Sequence, residues 1–399
     1  MRILLVNKYW YFRGGAERVA IQTKNILERA GHTVEIFGMH DPKNIFHNKY
    51  FVSHVDYAKV RGLKKISAGL KAIYNPEARD KFRELVQDFK PDVVHLHNFY
   101  HQLSGSILEV LKEEKIKTVM TLHDYKLISP NYNLYHHGKI AEEAMGGKYY
   151  RCLLNNCMES WGESFIATLE AYFMRWNKLL LAIDQYISPS RFLKDKFVQA
   201  GFSASKITVL ANPLEVNFGE PYSEGEYITY VGRLAPEKGL GLLLQAAKQL
   251  PKLKFRIVGD GPETKKLKDE ASKLDLSNLE FLSHVAGDDL EKVFVEAKFL
   301  VLPAVWYENY PMSILEACLR RKVVIGSRIG GIPELLSEGL LFESGDRDSL
   351  VNKITEWAKK KVEAREAMGN ELRDKILQEN NEEKYLTRLM EVYTLEHND

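Results

Sequence analysis

Cysteine and long apolar runs are both scarce in this sequence. There are three cysteines in 399 residues, Cys152, Cys157 and Cys318, which are too few for a disulfide framework and fit a reducing cytosol. No stretch approaches the roughly 18 to 20 apolar residues that a membrane-spanning helix needs. The short apolar run at the N-terminus soon meets Asn7 and Lys8, unlike a secretory signal. We therefore expect a cytoplasmic protein, soluble or at most peripheral at the inner membrane face.

A large excess of either charge is also missing. The formal net charge is +2, and this balance does not favour nucleic acid as a partner. Cations are concentrated locally in residues 59–83, where lysines and arginines are interleaved with apolar residues. Two interpretations of this segment are open. It is either a solvated helix face, or a patch through which the N-terminal domain contacts anionic lipid.

The length and the order of apolar segments predict two α/β domains. A chain of 399 residues exceeds one typical hydrophobic core. Strand-like runs alternate with helical segments throughout, which predicts a doubly wound parallel sheet in each half. The predicted strands are 2–7, 33–38, 92–95, 118–122, 185–188, 227–231, 254–258, 279–282, 299–303 and 323–326. The predicted domains are an N-terminal domain 1–212 with an irregular insertion at about 125–160, a linker 213–225, a C-terminal domain 226–375, and a helical segment 376–399 that packs back on the N-terminal domain.

The segment 306–317, WYENYPMSILEA, carries the most chemical information. Pro311 stands where the first residue of a helix is expected, so the backbone N–H groups of Met312, Ser313 and Ile314 would be free to bind a phosphate or sugar oxygen. Glu308 precedes this helix and Glu316 lies within it. Two carboxylates there could accept hydrogen bonds from sugar hydroxyls. From spacing alone, two solvated glutamates are an equally good interpretation.

Several motifs in order resemble one enzyme family. Glu308 and Glu316, eight positions apart, reproduce the E-x7-E pattern of the family-four retaining glycosyltransferases of the GT-B fold. The segments GRLAPEKG at 232–239, VGDGP at 258–262 and IGGIPE at 329–334 resemble further motifs of that family. The Gly14-Gly15-x-Glu loop is similar to its N-terminal glycine loop. The resemblance covers nearly the whole chain and implies two Rossmann-like domains with a deep interdomain cleft.

The resemblance also implies roles for individual residues. Arg233 and Lys238 would neutralise the donor diphosphate, whose charge grows as it leaves. Glu316 would hold the ribose, and Glu308 the transferred sugar. His123, after a predicted strand, matches an active-site histidine near the reacting carbon, although a lone histidine there is more often structural. The implied catalytic residues are His123, Arg233, Lys238 and Glu308. The implied donor-binding residues are Gly14, Gly15, Arg233, Lys238, Glu308, Asn309, Tyr310, Pro311, Met312, Ser313 and Glu316.

The expected reaction is therefore retaining transfer of a hexose from a UDP- or GDP-linked donor to a hydroxyl of a carbohydrate or lipid-linked acceptor, in surface polysaccharide or glycolipid synthesis. By similarity, the base pocket lies near 283–286, and neither a metal nor another cofactor is needed. His95 and His97 lack a third ligand and are interpreted as cleft-lining or structural. Ala141 and Ala144 stand where two more thiolates would have completed a zinc site with Cys152 and Cys157. A nucleotide-sugar epimerase and a non-catalytic nucleotide-binding protein remain as alternatives.

Overall fold

The chain forms two compact units. The computed structural model describes residues 1–55, 63–214 and 222–395. One unit comprises Met1–His137, Ala141–Glu215 and Glu382–Asp399, and the other comprises Val216–Asn381 with Gly138–Ile140. Each unit contains a six-stranded sheet in which all strands are parallel. Both units are therefore Rossmann-like, as the alternation of strands and helices predicted.

The first sheet has the strand order β2-β1-β3-β4-β7-β8. Its interior strand β1 is almost wholly buried because helices cover both faces of a doubly wound sheet, and Ile3, Leu4, Leu5 and Val6 have no exposed surface. The elements of this part of the chain are β1 (Arg2–Val6), α1 (Gly15–Arg29), β2 (Thr33–Phe37), α2 (Leu63–Ile73), α3 (Pro76–Phe89), β3 (Val93–Leu96), α4 (Ser106–Glu114), β4 (Lys117–Thr121), β5 (Tyr135–His136), β6 (Lys139–Ile140), α5 (Tyr150–Leu154), α6 (Trp161–Trp176), β7 (Gln185–Ser188), α7 (Arg191–Gln199) and β8 (Ile207–Val209).

The second sheet has the order β11-β10-β9-β12-β13-β14. From β9 the strands follow one another outward to β10 and β11 on one side, and β12 begins the other side, so the strand order reverses between β9 and β12. In sheets of this kind, ligands bind beyond the carboxyl ends of the strands at the reversal. The elements are β9 (Tyr227–Val231), α8 (Leu240–Gln249), β10 (Lys254–Val258), α9 (Thr264–Lys273), β11 (Leu279–Leu282), α10 (Asp288–Glu296), β12 (Ala297–Leu302), α11 (Met312–Leu319), β13 (Val324–Ser327), α12 (Ile332–Leu335), β14 (Leu341–Phe342), α13 (Arg347–Lys359), α14 (Val362–Glu379) and α15 (Glu382–Thr394).

The last two helices belong to different units. α14 lies wholly in the second unit, where it packs on α11 so closely that a Cβ on Gly369 would lie 1.9 Å from the Arg321 carbonyl oxygen. α15 lies in the first unit. Its Tyr385 hydroxyl is 2.8 Å from the Thr23 hydroxyl on α1. The chain therefore passes between units at 381/382 rather than at the predicted 375/376.

Helix α4 begins later than predicted. The spacing of apolar residues predicts a helix over about 102–114, whereas the helix begins at Ser106. The residues before it form a tight turn in which the amides of Leu103 and Ser104 both donate to the Phe99 carbonyl. His101 and Ser104 have positive φ angles, 62° and 58°. Such a turn interrupts a helix without changing the spacing of apolar residues.

The expectation of three reduced cysteines is wrong for two of them. Cys152 and Cys157 form a disulfide with a Cα–Cα distance of 4.7 Å, while Cys318 is free and buried. After α5 the chain turns back at Asn156, which has a φ of 47°, and the Cys157 amide donates to the Cys152 carbonyl at 2.9 Å. This return of the backbone is what brings the two sulfurs together. The pair packs against Ala144.

Only part of the predicted basic segment 59–83 has an excess of positive charge in the structure. Lys59 and Arg61 lie outside the described residues. On α3 the cations face carboxylates, with Lys81 Nζ 3.2 Å from Glu77 Oε1 and Arg79 Nη2 2.7 Å from Asp80 Oδ1. The part of the segment that keeps an excess of positive charge is α2, with three lysines and no acidic residue. Within the described ranges, no helix is both long and apolar enough to cross a membrane.

Candidate active site

Two of the predicted motifs meet at the point where the second sheet reverses its strand order. The turn 232–239 follows β9 and the loop 303–311 follows β12, and these strands are neighbours in the sheet. The Val305 amide donates to the Glu237 carbonyl at 3.0 Å. Gly239 has a φ of 67°, and a Cβ there would lie 2.1 Å from the Pro303 carbonyl oxygen. The backbone of one motif is therefore packed directly on the other.

This packing pairs two of the predicted catalytic side chains. Lys238 Nζ lies 2.6 Å from Glu308 Oε1, and their side chains are 18% and 7% exposed. The ammonium is also 5.1 Å from the centre of the Trp306 ring, a favourable position for a cation. The pair holds one fixed positive and one fixed negative charge beside the carboxyl ends of the strands, which suits a ligand that carries both phosphate and hydroxyl groups.

The loop that contains Gly330 and Gly331 packs against the backbone of Glu308 and Asn309. The Gly331 amide donates to the Glu308 carbonyl at 2.6 Å. A Cβ on Gly331 would lie 2.0 Å from the Asn309 carbonyl oxygen, and Gly330, with a φ of 60°, would place one 2.3 Å from the Glu308 carbonyl oxygen. Any side chain at either position would push the two loops apart. The glycines of the IGGIPE motif are thus explained by close backbone packing.

Helix α11 starts one residue later than predicted. Pro311 is the residue before the helix rather than its first residue. The Ile314 amide donates to the Pro311 carbonyl at 3.1 Å, so this N–H is not free as predicted. Met312 and Ser313 are partly exposed at the helix start, and Glu316 is partly buried about one turn further along. The Ile314 amide is therefore already paired within the helix start.

The side chain of Tyr310 is engaged elsewhere. It is 8% exposed, and its hydroxyl accepts a hydrogen bond of 3.1 Å from the Asn380 side-chain amide at the end of α14. The ring therefore anchors the loop to α14. Tyr310 is one of the predicted donor-binding residues. Because its side chain is bonded to Asn380, only its backbone is available for a ligand.

The VGDGP turn packs on the turn that carries Arg233. A Cβ on Gly259, whose φ is 133°, would lie 2.0 Å from the Gly232 carbonyl oxygen. The Leu234 amide donates to the Asp260 carbonyl at 3.0 Å. The Asp260 carboxylate in turn accepts from the His284 amide at 2.9 Å, which ties the predicted base-pocket loop to the same turn. Arg233 is exposed, and its carbonyl accepts from the Tyr230 hydroxyl at 2.8 Å.

In the first unit, His123 is the outermost member of a row of three histidines. Its Nε2 is 3.0 Å from Nδ1 of His97, and the rings of His97 and His95 stack with centres 4.4 Å apart. His95 also lies 2.7 Å from both the Tyr393 and the Thr121 hydroxyls. His95 and His97 have no exposed surface, while His123 is partly exposed. Of the two interpretations open for His95 and His97, the structural one is confirmed.

Burial keeps these histidines neutral. It lowers the pKa of His95 to about 3 and the pKa of His123 to about 4. Burial, reinforced by the two neighbouring histidines, also lowers the pKa of His97. At neutral pH the His97–His123 contact is therefore a hydrogen bond between two uncharged imidazoles, one donating N–H and the other accepting.

Acid is expected to destabilise the first unit through His95. Its pKa is lower in the folded than in the unfolded state, so the unfolded chain binds the extra proton and stability is lost as the pH falls below about 6.5. Between pH 7.5 and pH 5 we expect His95 to lower the free energy of unfolding by about 2 kcal/mol. Denaturant unfolding at both pH values measures this. His95→Gln should lose correspondingly less stability, and an equal loss in both proteins would contradict the assignment.

Two charged residues, Lys8 and Glu17, lie close together beside the glycine loop of the first unit. Gly14 caps α1, and a Cβ there would lie 3.3 Å from Glu17 Oε2. Glu17 is 6% exposed. Burial raises its pKa, opposed by the charge of Lys8, and burial lowers the pKa of Lys8. Gly15 is the first residue of α1. Glu17 is the acidic residue of the Gly14-Gly15-x-Glu motif, whereas Lys8 stands in no motif and was missed, because its proximity to Glu17 depends on the turn between β1 and α1.

Comparison with known proteins places the two halves in matching families. The model of Glycosyltransferase Family 4 matches residues 13–218, and that of Glycosyl transferases group 1 matches residues 215–375. An uncharacterised 42.6 kDa protein in the cps region of Klebsiella pneumoniae is 29% identical over 360 residues, covering 84% of this chain and 87% of its own. The O-antigen chain mannosyltransferase C of Escherichia coli is 23% identical over 366 residues, covering 89% and 88%.

A solved structure confirms the fold. Anabaena HepE, crystallised in complex with UDP, is similar with a TM-score of 0.67 at 17% identity, covering 98% of this chain and 99% of that one. The predicted GT-B architecture of two Rossmann-like domains is therefore correct. Because the Family 4 model spans more than half of the sequence and the four C-terminal motifs lie within the group 1 match, the chain belongs to glycosyltransferase family 4.

Proposed function

We propose that this chain is a retaining enzyme that moves a hexose from a nucleotide diphosphate sugar to a hydroxyl of a carbohydrate or lipid-linked acceptor, in the synthesis of surface polysaccharide or glycolipid. The observation that carries the donor assignment is the 2.6 Å contact of Lys238 with Glu308 at the switch point of the second sheet. The relatives in a cps region and in O-antigen synthesis support the type of product. The UDP complex of HepE supports the type of donor.

In this proposal the charged residues of the second unit bind different parts of the donor. Arg233 and Lys238 lie five positions apart on one turn, and their charges stabilise the diphosphate as it leaves. Glu308 accepts hydrogen bonds from hydroxyls of the sugar while Lys238 holds its carboxylate in place. Because two protein cations serve the diphosphate, we propose that transfer needs no divalent metal. Activity should be unchanged after treatment with EDTA.

The proposed chemistry is attack from the face that the nucleotide leaves. The bond between the anomeric carbon and the diphosphate oxygen breaks, and the acceptor oxygen bonds to the same face of that carbon. The acceptor proton passes to the departing phosphate oxygen, so no protein nucleophile is required. The protein contributes orientation and fixed charge.

Donor hydrolysis followed by NMR tests this proposal without knowledge of the acceptor. UDP-, GDP- and ADP-linked hexoses are incubated with the protein, and the anomeric proton of the first sugar released is recorded before it mutarotates. We expect release from one donor with the anomeric configuration of that donor. The opposite anomer would contradict retention, and an epimerised nucleotide sugar would favour the epimerase. Lys238→Ala is the control for contaminating activity.

His123 is proposed to contact the donor sugar near the reacting carbon. Because burial holds it neutral, with a pKa of about 4, it can act there only as an uncharged hydrogen-bonding group at pH 7. His123→Ala should lower kcat by about a hundred-fold, while the Kd for the nucleotide diphosphate stays within a few-fold. Steady-state kinetics and calorimetry measure the two quantities. Equal losses in both would assign His123 to ground-state binding or to structure.

A further inference from the structure

An apolar stripe runs along the outer side of α6. Its large side chains recur every three or four residues, so they lie on one side of the helix. We define the α6 stripe as Trp161, Phe165, Leu169, Tyr172 and Trp176. Four of these are exposed, by 62%, 48%, 36% and 72% for Trp161, Phe165, Leu169 and Trp176. The opposite side of α6 is buried through Ala167, Ala171 and Met174. The helix therefore already has a core-facing side, and the stripe is a second apolar face.

Elements that pack against α6 add further exposed apolar side chains. α5, α2 and the 3-10 turn 179–182 all contact it. Leu154 on α5 and Leu181 in the turn are each 68% exposed, and Leu70 on α2 is 60% exposed. Isolated exposed apolar residues are ordinary on protein surfaces, but several of them on one helix and on the elements that pack against it mark an interaction surface.

Cations without carboxylate partners flank the stripe. Arg175 and Lys178 at the end of α6, and Lys148 and Arg151 at α5, are exposed. None of these four forms an ion pair with any carboxylate in the described ranges. On α2, which packs on α6, Lys71 is partly exposed, and the sequence of this helix contains no acidic residue. The one exposed acid on α6, a helix described throughout, is Glu163 in its first turn, about half a turn away from the stripe.

We propose that this face of the first unit binds to the surface of an anionic lipid bilayer, with α6 lying in the plane of the membrane. The stripe would enter the boundary between headgroups and acyl chains, and the flanking cations would contact lipid phosphates. Tryptophans at both ends suit this boundary, because their rings are apolar with one polar N–H. A helix of 16 residues is about 24 Å long, which fits a helix that lies on the bilayer.

A second copy of the chain fits this surface less well. In a symmetric dimer the same patch meets itself, so the unpaired cations of one copy would face those of the other. The surface also differs from the segment 59–83 proposed from the sequence, since the cations of α3 are paired with carboxylates and the stripe lies on α6. The inference rests on the exposed stripe and its charges, and it does not depend on the donor chemistry proposed above.

Co-sedimentation of the full chain with vesicles tests the proposal. We expect binding to vesicles of equal parts phosphatidylcholine and phosphatidylglycerol at low salt, and much less to phosphatidylcholine alone or at high salt. Combined replacement of Trp161, Phe165 and Trp176 by serine should lower the bound fraction about tenfold or more. The matched control replaces Ile45 and Val295 by serine. These side chains are 51% and 52% exposed and belong neither to α6 nor to α5, α2 or the 3-10 turn 179–182, so binding should be unchanged.

A second set of variants tests the role of the flanking cations. Arg151→Glu with Lys178→Glu should weaken binding to the anionic vesicles, whereas Lys112→Glu, an exposed lysine on α4, should not. Wild-type protein that stays in the supernatant, or a serine variant that binds as wild type does, would overturn the proposal. So would a wild-type dimer in light scattering that the serine variant converts to monomer. The thermal unfolding midpoint of each variant, measured without ligand, shows that it is folded, so the result does not depend on the donor site.

Discussion

Replacing Glu308 with alanine is expected to lower kcat/KM for sugar transfer or donor hydrolysis by about a hundred- to a thousand-fold. The carboxylate is the partner of Lys238 at 2.6 Å, so its loss removes the acceptor for sugar hydroxyls and frees the ammonium to move. Glu308→Gln should be almost as damaging, since it keeps the shape and loses the charge. Steady-state kinetics with the preferred donor measure the effect.

The loss should come from the site and not from unfolding. Glu308 lies in a loop, so the thermal midpoint of Glu308→Ala should fall by a few degrees at most. Glu338 provides a matched control in the same unit, because its exposed side chain belongs to none of the motifs and is paired with Arg328 at 2.6 Å. Glu338→Ala should keep full activity. Activity of Glu308→Ala within a few-fold of wild type would show that the sugar-contact assignment is wrong.

Gly331→Ala is expected to damage the site as severely, by about a hundred-fold in kcat/KM, because a misplaced catalytic group loses much of its effect. The added Cβ would lie 2.0 Å from the Asn309 carbonyl oxygen, so the loop must withdraw and break the 2.6 Å hydrogen bond from the Gly331 amide to the Glu308 carbonyl. Kinetics, together with the Kd for the nucleotide diphosphate, measure the result.

Gly339→Ala is the control for this substitution. It lies in the same unit, and a Cβ there would meet nothing within 4 Å. We expect its activity and thermal midpoint to match those of wild type. If Gly331→Ala were equally silent, the glycine loop would not support the Glu308 loop, and another reason for two adjacent glycines would be needed.

Much of the second unit could be predicted from sequence because its strands are short apolar runs with clear ends. The predicted strands 227–231, 254–258 and 279–282 coincide with β9, β10 and β11. The site motifs follow strands, and parallel strands end at one edge of a sheet, so their proximity follows from the predicted topology. What the motifs could not give is how the loops touch, because contacts such as Gly331 with Glu308 depend on backbone conformation.

Contacts between distant parts of the chain were beyond sequence reasoning. Tyr310 lies in a motif assigned to the donor, and its hydroxyl bonds to Asn380, 70 residues away. His95 pairs with Tyr393, 298 residues away. Neither partner stands in a pattern of its own. Polar groups of this kind pair because burial makes an unsatisfied one costly, and only the packed structure shows which partner is within reach.

The α6 stripe shows what the spacing of apolar residues along a helix cannot predict. Apolar residues at three- and four-residue spacing predict a helix over about 163–181, which broadly overlaps α6. The same pattern ordinarily marks the side of a helix that faces the core. In α6 the small residues Ala167 and Ala171 face the core, and the large aromatic residues face outward. Exposure of the stripe therefore became visible only with the tertiary structure.

Thermal denaturation with UDP, GDP, ADP and their sugar conjugates tests the central claim most directly, that the second unit binds a nucleotide diphosphate sugar. A ligand that binds only the native state must raise its apparent stability. We predict that one nucleotide raises the thermal midpoint and that Arg233→Ala and Lys238→Ala each abolish the shift. A shift that survives both substitutions, or no shift with any of these ligands, would contradict the assignment of the donor site.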